Sequence, residues 1–232
     1  MKVLIIGDYN PEYPPHPATT ESLKHIGEKL QVEILVEWLN TGKLIEPVEK
    51  YLANADAIWL GPAPYKNKEG VRSAVKYIRE HNIPFIGTCG GLYQTIAEFA
   101  INILGVNEDL IEINTDDQGD SLFLRDTCCA IHGFSVIQFK TVENTKVHSI
   151  YPSEQCEEDS NCGFAVNAKY HESLEASNFI ISGIDENGEA KIFELATNDF
   201  FVVTKFLPQM RSKTDVPHPL VEAFVLAGLT TD

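Results

Sequence analysis

The sequence predicts an α/β protein whose mostly parallel sheet is flanked by helices. In the first hundred residues, short apolar runs rich in Val, Ile and Leu alternate with stretches of helical spacing. Strands without polar alternation, joined by helices, are typical of a parallel sheet that is covered on both faces. After Gly105 short runs separated by turns follow one another, which predicts extra antiparallel strands in the C-terminal half. No repeat or Pro/Gly/Ser-rich linker divides the chain, so residues 1–232 are expected to form a single domain.

The N-terminal half is predicted to alternate strands with helices. Each predicted strand is β-branched and apolar, and each predicted helix repeats its apolar residues at helical spacing. The strands are residues 2–7, 32–38, 57–61 and 84–88, and the helices are residues 20–30, 44–54, 70–81 and 91–104. The carboxyl ends of such strands meet at one edge of the sheet, where α/β proteins place their sites.

The C-terminal half is predicted to be mostly strands, followed by one last helix. The predicted strands are residues 121–124, 130–139, 163–167, 179–184, 191–195 and 201–206, and the helix is residues 219–229. The stretch 153–161 is acidic and polar, so we expect it to be an exposed loop.

The charge of the chain excludes several classes of partner. Its 232 residues include 18 Lys and Arg against 34 Asp and Glu, a net charge of −16. Nucleic acid and anionic membranes attract basic clusters, so neither is an expected partner. The first apolar run is too short for a signal peptide and turns polar at Asp8. We therefore expect a cytoplasmic protein that binds a small molecule, neutral or cationic, and that has no membrane span.

The five cysteines are an odd number in a chain large enough to fold without disulfides. We expect reduced thiols. Cys156 and Cys162, with His148 or His132, could form a zinc site, but the spacing lacks the short Cys-x2–4-Cys pattern of structural zinc. The sequence therefore indicates neither a metal nor a cofactor, and it does not indicate an oligomeric state.

Cys89 is the leading candidate for a catalytic residue. An apolar strand runs into it, Gly90 and Gly91 follow, and a helix begins, as in a nucleophile elbow with cysteine in place of serine. The glycines permit a tight turn and a close approach by a substrate. The N-terminal amides of the helix favour a thiolate and are suited to hold an oxyanion. The alternative is a small buried cysteine at an ordinary strand–helix turn.

Four segments carry a resemblance to a known family. They read Ile-Pro-Phe-Ile-Gly-Thr-Cys-Gly-Gly at 83–91, Glu-Phe-Ala-Ile-Asn-Ile-Leu-Gly at 98–105, Leu-Glu-Ala-Ser at 174–177 and Phe-Phe-Val-Val-Thr-Lys-Phe at 200–206. In this order they resemble class I glutamine amidotransferases, in particular the amidotransferase domain of CTP synthases. The resemblance implies a flavodoxin-like parallel sheet with Cys89 at its carboxyl edge. It also implies an origin in glutamine hydrolysis by a Cys-His-Glu triad.

The triad implied by the resemblance is incomplete. Where the family has Phe-His-Pro-Glu, this chain has Leu207 in place of histidine and Gln209 in place of glutamate. Leucine cannot accept a thiol proton, and a neutral amide cannot stabilise an imidazolium. Gly163 stands where the family's arginine binds the substrate carboxylate, whereas Glu112 matches its amine-binding glutamate.

The expected oxyanion loop also departs from the family. It contains Pro62 and Pro64, which lack a backbone N–H, so Ala63 and the amide of Gly90 remain as donors. Tyr93, one turn into the elbow helix, either fills the mouth of the pocket or packs. The chain begins directly at the amidotransferase-like strand, so we expect it to act without an attached synthetase domain.

The remaining question is what activates Cys89. The loop after the first strand offers Asp8, Glu12 and His16 at the correct edge of the sheet. The chain resembles, more distantly, the isocyanide hydratases of the wider superfamily, which use a carboxylate near the thiol and no triad histidine. That resemblance favours Glu12 or Asp8 as the activating group. Three hypotheses result: a cysteine enzyme acting on a substrate other than glutamine, a non-catalytic protein that binds a metabolite or a protein partner, and a glutaminase with a relocated base.

Overall fold

The structure is a computed structural model and describes residues 1–111, 119–125, 133–151, 153 and 155–230. In this part of the chain the strands are β1 (Lys2–Ile6), β2 (Leu35–Leu39), β3 (Ala57–Leu60), β4 (Phe85–Thr88), β5 (Phe123–Arg125), β6 (Ser135–Thr141), β7 (Gln155–Ser160), β8 (Phe164–Val166), β9 (Phe179–Ile184), β10 (Ala190–Leu195) and β11 (Phe201–Thr204). The helices are α1 (Pro15–Leu30), α2 (Glu49–Leu52), α3 (Lys68–Glu80), α4 (Gly90–Asn102), α5 (Lys146–Ile150), α6 (His171–Ala176) and α7 (Pro219–Leu229). None of these helices is long and apolar enough to cross a membrane.

The main sheet has the strand order β2-β1-β3-β4-β11-β10-β9-β6-β7. The pairs from β2 to β11 are parallel, and those from β11 to β7 are antiparallel. Strands β5 and β8 form a separate antiparallel pair. The α/β class, the parallel centre and the extra antiparallel strands predicted from the sequence are therefore confirmed.

The alternation of side chains in the central strands divides the core between the two faces of the sheet. Leu4 and Ile6 pack on the face that is covered by α3 and α4. Val3 and Ile5 pack on the opposite face, against α1 and α7. Because both faces are covered, these strands place apolar residues on both sides of the sheet, as the sequence pattern indicated.

A buried ion pair fixes α4, the helix that follows Cys89, against α3. The Arg79 guanidinium makes two bonds to the Glu98 carboxylate, from Nη2 to Oε1 at 2.7 Å and from Nε to Oε2 at 3.1 Å. Glu98 is fully buried, so its charge depends on this partner.

Two predicted helices differ from the structure by more than two residues at one end or both. The helix expected at 44–54 is the single turn α2, because Pro47 has no N–H to donate and cannot lie inside a helix. The helix expected at 20–30 begins earlier, at Pro15, since proline is well suited to the first turn of a helix.

The prediction of an exposed loop at 153–161 is wrong. Residues 155–160 form β7 and pair with β6, and Cys156, Glu158 and Ser160 point inward. The inward charge is tolerated because Glu158 Oε1 accepts a hydrogen bond from His218 Nε2 at 2.7 Å. Polar residues at inward positions hide a strand from a reading based on hydrophobic alternation.

Candidate active site

Cys89 lies at a strained turn between β4 and α4. Its φ is 53° and its ψ is −110°, a conformation that residues other than glycine rarely adopt. Its N–H donates to the carbonyl oxygen of Thr204 at 2.8 Å, so the turn is anchored to the neighbouring strand β11. The side chain is 8% exposed and stands at the carboxyl edge of the parallel sheet.

The glycines after Cys89 are required by close contacts. A Cβ on Gly90 would lie 2.5 Å from the Cβ and 2.6 Å from the backbone nitrogen of Ala63. A Cβ on Gly91 would lie 2.5 Å from the carbonyl oxygen of Leu60. The loop after β3 therefore rests directly on the start of α4. The structure brings Cys89, Gly90, Gly91 and Ala63 to one place.

His16 holds that loop in position. Its Nδ1 accepts a hydrogen bond from the N–H of Asn10 at 2.8 Å, so Nε2 carries the proton and donates to the carbonyl oxygen of Pro62 at 3.3 Å. Burial lowers the pKa of His16 below its ordinary value of 6.5. Both ring nitrogens are engaged, so the geometry gives His16 a positioning role.

Asp8 is also engaged in positioning. Its carboxylate accepts from the N–H of Thr41 at 3.1 Å, from the Thr41 hydroxyl at 2.6 Å and from the N–H of Lys66 at 2.8 Å. These bonds join the loops that follow β1, β2 and β3. Glu12 is exposed, and its backbone N–H donates to the side chain of Asn10.

A second thiol lies beside Cys89. The side chains of Cys89, Cys162 and Leu207 pack together, with Tyr93 and Met210 at the margin. The Cys162 thiol is 3% exposed and packs in the same small buried cluster as Cys89. Burial is the main cause that raises the pKa of Cys162 well above its ordinary value, and Cys89 adds to the effect. In the sequence, Cys162 was a candidate only for a zinc site, and its position beside Cys89 was not predicted.

The route of the chain after β7 explains how Cys162 arrives there. The N–H of Leu207 donates to the carbonyl oxygen of Asp159 at 2.8 Å. The Ser160 hydroxyl donates to the carbonyl oxygen of Lys205 at 3.3 Å and accepts from the N–H of Cys162 at 3.4 Å. The end of β7 is therefore tied to the segment after β11, although the two strands are not neighbours in the sheet.

Three tyrosines surround the thiols. Burial, with the nearby Cys89, raises the pKa of Tyr13 to about 12. The Tyr65 hydroxyl donates to the carbonyl oxygen of Gly61, and the Tyr93 hydroxyl donates to that of Phe164. Burial also raises the pKa of Tyr65 and of Tyr93. All three phenols are therefore protonated at neutral pH.

A buried lysine lies close to this cluster. Lys205, which is 1% exposed, pairs with Glu189, and Lys191 pairs with Glu189 at 2.7 Å and with Asp185 at 3.0 Å. The ammonium of Lys205 favours the thiolate of Cys162, although burial is the larger effect. Lys205 directly follows strand β11 at the carboxyl edge of the sheet. Its place after a predicted strand could have identified it from the sequence as a candidate site residue.

The positions that resemble triad residues lie at the site with different chemistry. Leu207 is fully buried against Cys89. Gln209 is 2% exposed, and neither its Oε1 nor its Nε2 has a hydrogen-bond partner among the described residues. Gly163 is exposed, and a Cβ there would meet nothing within 4 Å.

Residues considered for a metal do not come together in the described part of the chain. Cys156 packs in the core on the α1 and α7 side of the sheet, and its thiol donates to the carbonyl oxygen of Ser153 at 3.1 Å. His148 is hydrogen-bonded to Thr141 at 2.9 Å. No group of three or more possible ligands occurs among the described residues. Glu112 and His132 lie outside them.

Comparison with known proteins decides the family. The sequence model of the family described as "Glutamine amidotransferase class-I" matches residues 16–226. The chain belongs to the class I glutamine amidotransferase family. The resemblance expected from the segments around Cys89 is thus confirmed at the level of the family.

Similar proteins place the chain near the CTP synthases. It is 31% identical over 245 residues to CTP synthases of Staphylococcus aureus, of strains NCTC 8325 and JH9 among others, and the match covers 97% of the chain. The same match covers 44% of each CTP synthase, so the chain spans less than half of those proteins.

Solved structures show the same fold. The glutaminase domain of Trypanosoma brucei CTP synthase with bound acivicin matches with a TM-score of 0.86 and 22% identity, over 100% of this chain and 95% of that one. A glutamine amidotransferase from Thermotoga maritima matches with a TM-score of 0.60 and 13% identity, over 100% of this chain and 99% of that one.

Proposed function

We propose that this amidotransferase-like protein is a cysteine enzyme that acts on a small, uncharged amide, another carbonyl compound or a nitrile, and not on glutamine. The backbone of Cys89 carries the proposal. A non-glycine residue with φ of 53° and ψ of −110° costs on the order of 1–3 kcal/mol, and such strain persists mainly at functional sites. At an elbow this conformation presents the side chain at the turn, where a substrate can reach it.

The groups around Cys89 suit nucleophilic addition. The Cys89 sulfur forms a bond to the substrate carbon, and the π electron pair moves to the carbonyl oxygen or nitrile nitrogen. The amides of Gly90 and Ala63 are the donors for that developing charge. For an amide or ester, collapse expels the leaving group, which takes up the proton that the Cys89 thiol has lost, and a thioester remains. Water then adds to the thioester, releases the acid and returns a proton to the Cys89 sulfur. The Tyr13 phenol, with a pKa of about 12, remains a donor for the substrate.

Glutamine itself is not the expected substrate. The CTP synthases that this chain resembles would use a histidine, a glutamate and an arginine at the positions of Leu207, Gln209 and Gly163. Leu207, which is buried beside Cys89, cannot accept the proton of the Cys89 thiol. We therefore expect no ammonia when the protein is incubated with glutamine, and steady ammonia release would favour a relocated base.

Of the three candidates for activating the Cys89 thiol, Glu12 is the one that remains. His16 and Asp8 are engaged in bonds that position loops, whereas the Glu12 side chain is exposed on the same loop. We expect Glu12→Gln to lower the turnover of an activated ester, while the stability to urea stays unchanged. An unchanged turnover would remove Glu12 from the mechanism.

The test of the proposal uses p-nitrophenyl acetate as the electrophile. The protein should release nitrophenolate in a burst of one equivalent per chain, followed by continued turnover. Peptide mapping of the acid-quenched protein should find the acetyl group on Cys89. Cys156→Ser is the matched control and should behave as the unchanged protein. Release that continues unaltered in Cys89→Ala would refute the proposal.

A second candidate function is the binding of a metabolite or protein partner without turnover. The buried Gln209 favours it, because an amide without partners is suited to a bound ligand. The burst experiment separates the two functions: one equivalent of acetylation without continued turnover indicates a binding protein, and continued turnover indicates an enzyme.

A further inference from the structure

The Cys89–Cys162 thiol pair has features that nucleophilic addition to a carbonyl compound does not use. Cys162 is buried and packs in one cluster with Cys89 and Leu207, and the proposed addition step assigns it no role. Its backbone is fixed by the bond from its N–H to Ser160, whose hydroxyl in turn donates to the carbonyl oxygen of Lys205. The fold thus holds a second thiol in a constant position against the nucleophile.

The other side chains around the pair do not act as bases toward the two thiols. Leu207 is apolar, and the tyrosines Tyr13, Tyr65 and Tyr93 are protonated at neutral pH. Both cysteines are free thiols, and their side chains pack in the same small buried cluster. Two thiols in contact can lose two electrons together and form a bond between their sulfur atoms.

We propose that Cys89 and Cys162 are a modification site, a dithiol that hydrogen peroxide converts into an intramolecular disulfide. The Cys89 thiolate attacks one peroxide oxygen, the O–O bond breaks, and one water leaves after protonation. The Cys162 sulfur then attacks the Cys89 sulfenic acid, forms the S–S bond and expels the hydroxyl as a second water. Two thiols and one peroxide become one disulfide and two waters, and a thiol reductant reverses the change.

Because both cysteines are nearly buried, a small oxidant is favoured. Cys89 is 8% exposed and Cys162 is 3% exposed. Hydrogen peroxide is a small molecule and can reach a nearly buried sulfur atom. A disulfide oxidant is larger, and Cys89 would have to attack one of its sulfur atoms along the S–S axis, which needs more open space. The chain after β7 also keeps Cys162 close, so the sulfenic acid is captured before a second peroxide arrives.

The disulfide would remove the nucleophile of the proposed enzyme. The inference does not rest on that function, because it concerns the fate of two thiols and not turnover. A protein without ester turnover can still form the disulfide, and an active enzyme can fail to form it.

The experiment treats the full chain with hydrogen peroxide and measures its intact mass and its peptide map. The unchanged protein should lose two hydrogens, and the map should show the Cys89 peptide joined to the Cys162 peptide. Alkylation of both cysteines by iodoacetamide should be lost together and restored together by dithiothreitol. In Cys162→Ser, Cys89 should instead gain oxygen atoms to become a sulfinic acid, which dithiothreitol does not reverse.

Cys156→Ser is the matched control, because Cys156 is also buried but packs on the other side of the sheet. It should form the same disulfide at the same rate as the unchanged protein. Circular dichroism checks that Cys162→Ser folds, and Cys162→Ala repeats the test if it does not. Sulfinic acid formed at Cys89 at equal rates with and without Cys162 would overturn the proposal, as would a disulfide that joins either residue to another cysteine.

Discussion

The Leu207 side chain packs directly against the Cys89 side chain, and Gln209 lies buried two residues further on. In the family that this chain belongs to, the resemblance assigns these positions to the histidine and the glutamate of a catalytic triad. The position that the resemblance assigns to the base is therefore occupied by an apolar side chain in this structure.

This contact predicts that glutaminase chemistry can be restored. Leu207→His combined with Gln209→Glu supplies a base beside Cys89 and a carboxylate to orient it, and Gly163→Arg adds a cation where a Cβ has open space. We expect ammonia release from glutamine in the triple variant and none in the unchanged protein. The control is Gln209→Glu alone, which should stay inactive. An inactive triple variant that folds normally would contradict the assignment of these positions.

The contact between Gly90 and Ala63 predicts that Gly90→Ala is damaging. The new Cβ would lie 2.6 Å from the backbone nitrogen of Ala63, so the loop after β3 must move away from the oxyanion position. Overpacking of this kind costs about 1–3 kcal/mol of stability. We expect the ester burst at Cys89 to slow by at least about tenfold, which corresponds to roughly 1.4 kcal/mol of activation free energy. Gly119→Ala, whose Cβ meets nothing within 4 Å, should change neither quantity.

The buried His16 predicts a loss of stability in mild acid. The unfolded chain takes up the proton near the ordinary pKa of 6.5, whereas the folded chain resists it until a lower pH. The stabilisation is therefore fully present above pH 6.5 and is lost as the pH falls below that value. His171, whose pKa burial also lowers, acts in the same direction.

Urea unfolding at several pH values measures this effect. The free energy of unfolding should fall with pH below 6.5 in the unchanged protein and fall less steeply in His16→Gln. At neutral pH the same variant should be less stable by about 1–3 kcal/mol, because the N–H of Asn10 loses its acceptor. His81→Gln, the same substitution at an exposed position, is the control for the exchange itself.

The Arg79–Glu98 pair predicts a large cost for removing one partner. Arg79→Met leaves the fully buried Glu98 carboxylate without its cation and should destabilise the protein by about 3–5 kcal/mol. The double variant Arg79→Met with Glu98→Leu should recover most of that loss in a urea titration. Lys2→Met removes a pair that is far more exposed and should cost less than about 1 kcal/mol. Equal effects of the two single changes would contradict this account.

The parts of the fold that sequence reasoning identified are those with a local signal. Strand β4, the glycines after Cys89 and helix α4 are adjacent along the chain, so apolar runs and turn residues suffice to predict them. Strand β7 lacked that signal, because its inward positions include Glu158, which accepts a hydrogen bond from a partner sixty residues away, His218. The wrong helix at 44–54 reflects too little weight given to Pro47.

The candidate site divides in the same way. Cys89, Gly90 and Ala63 follow strands of the parallel sheet, so the topology alone brings them to one edge. Cys162 and Tyr13 reach Cys89 through loops whose paths depend on bonds such as that between Ser160 and Lys205. No spacing in the sequence encodes those bonds. For the same reason the sequence could not indicate that His16 would donate to Pro62 instead of facing the thiol.

The most direct test of the account is the time course of nitrophenolate release from p-nitrophenyl acetate by the unchanged protein and by Cys89→Ala. The account predicts a burst of one equivalent per chain followed by turnover, with both phases absent in Cys89→Ala. Release at the same rate in Cys89→Ala, with no acetyl group on Cys89 in the unchanged protein, would contradict it.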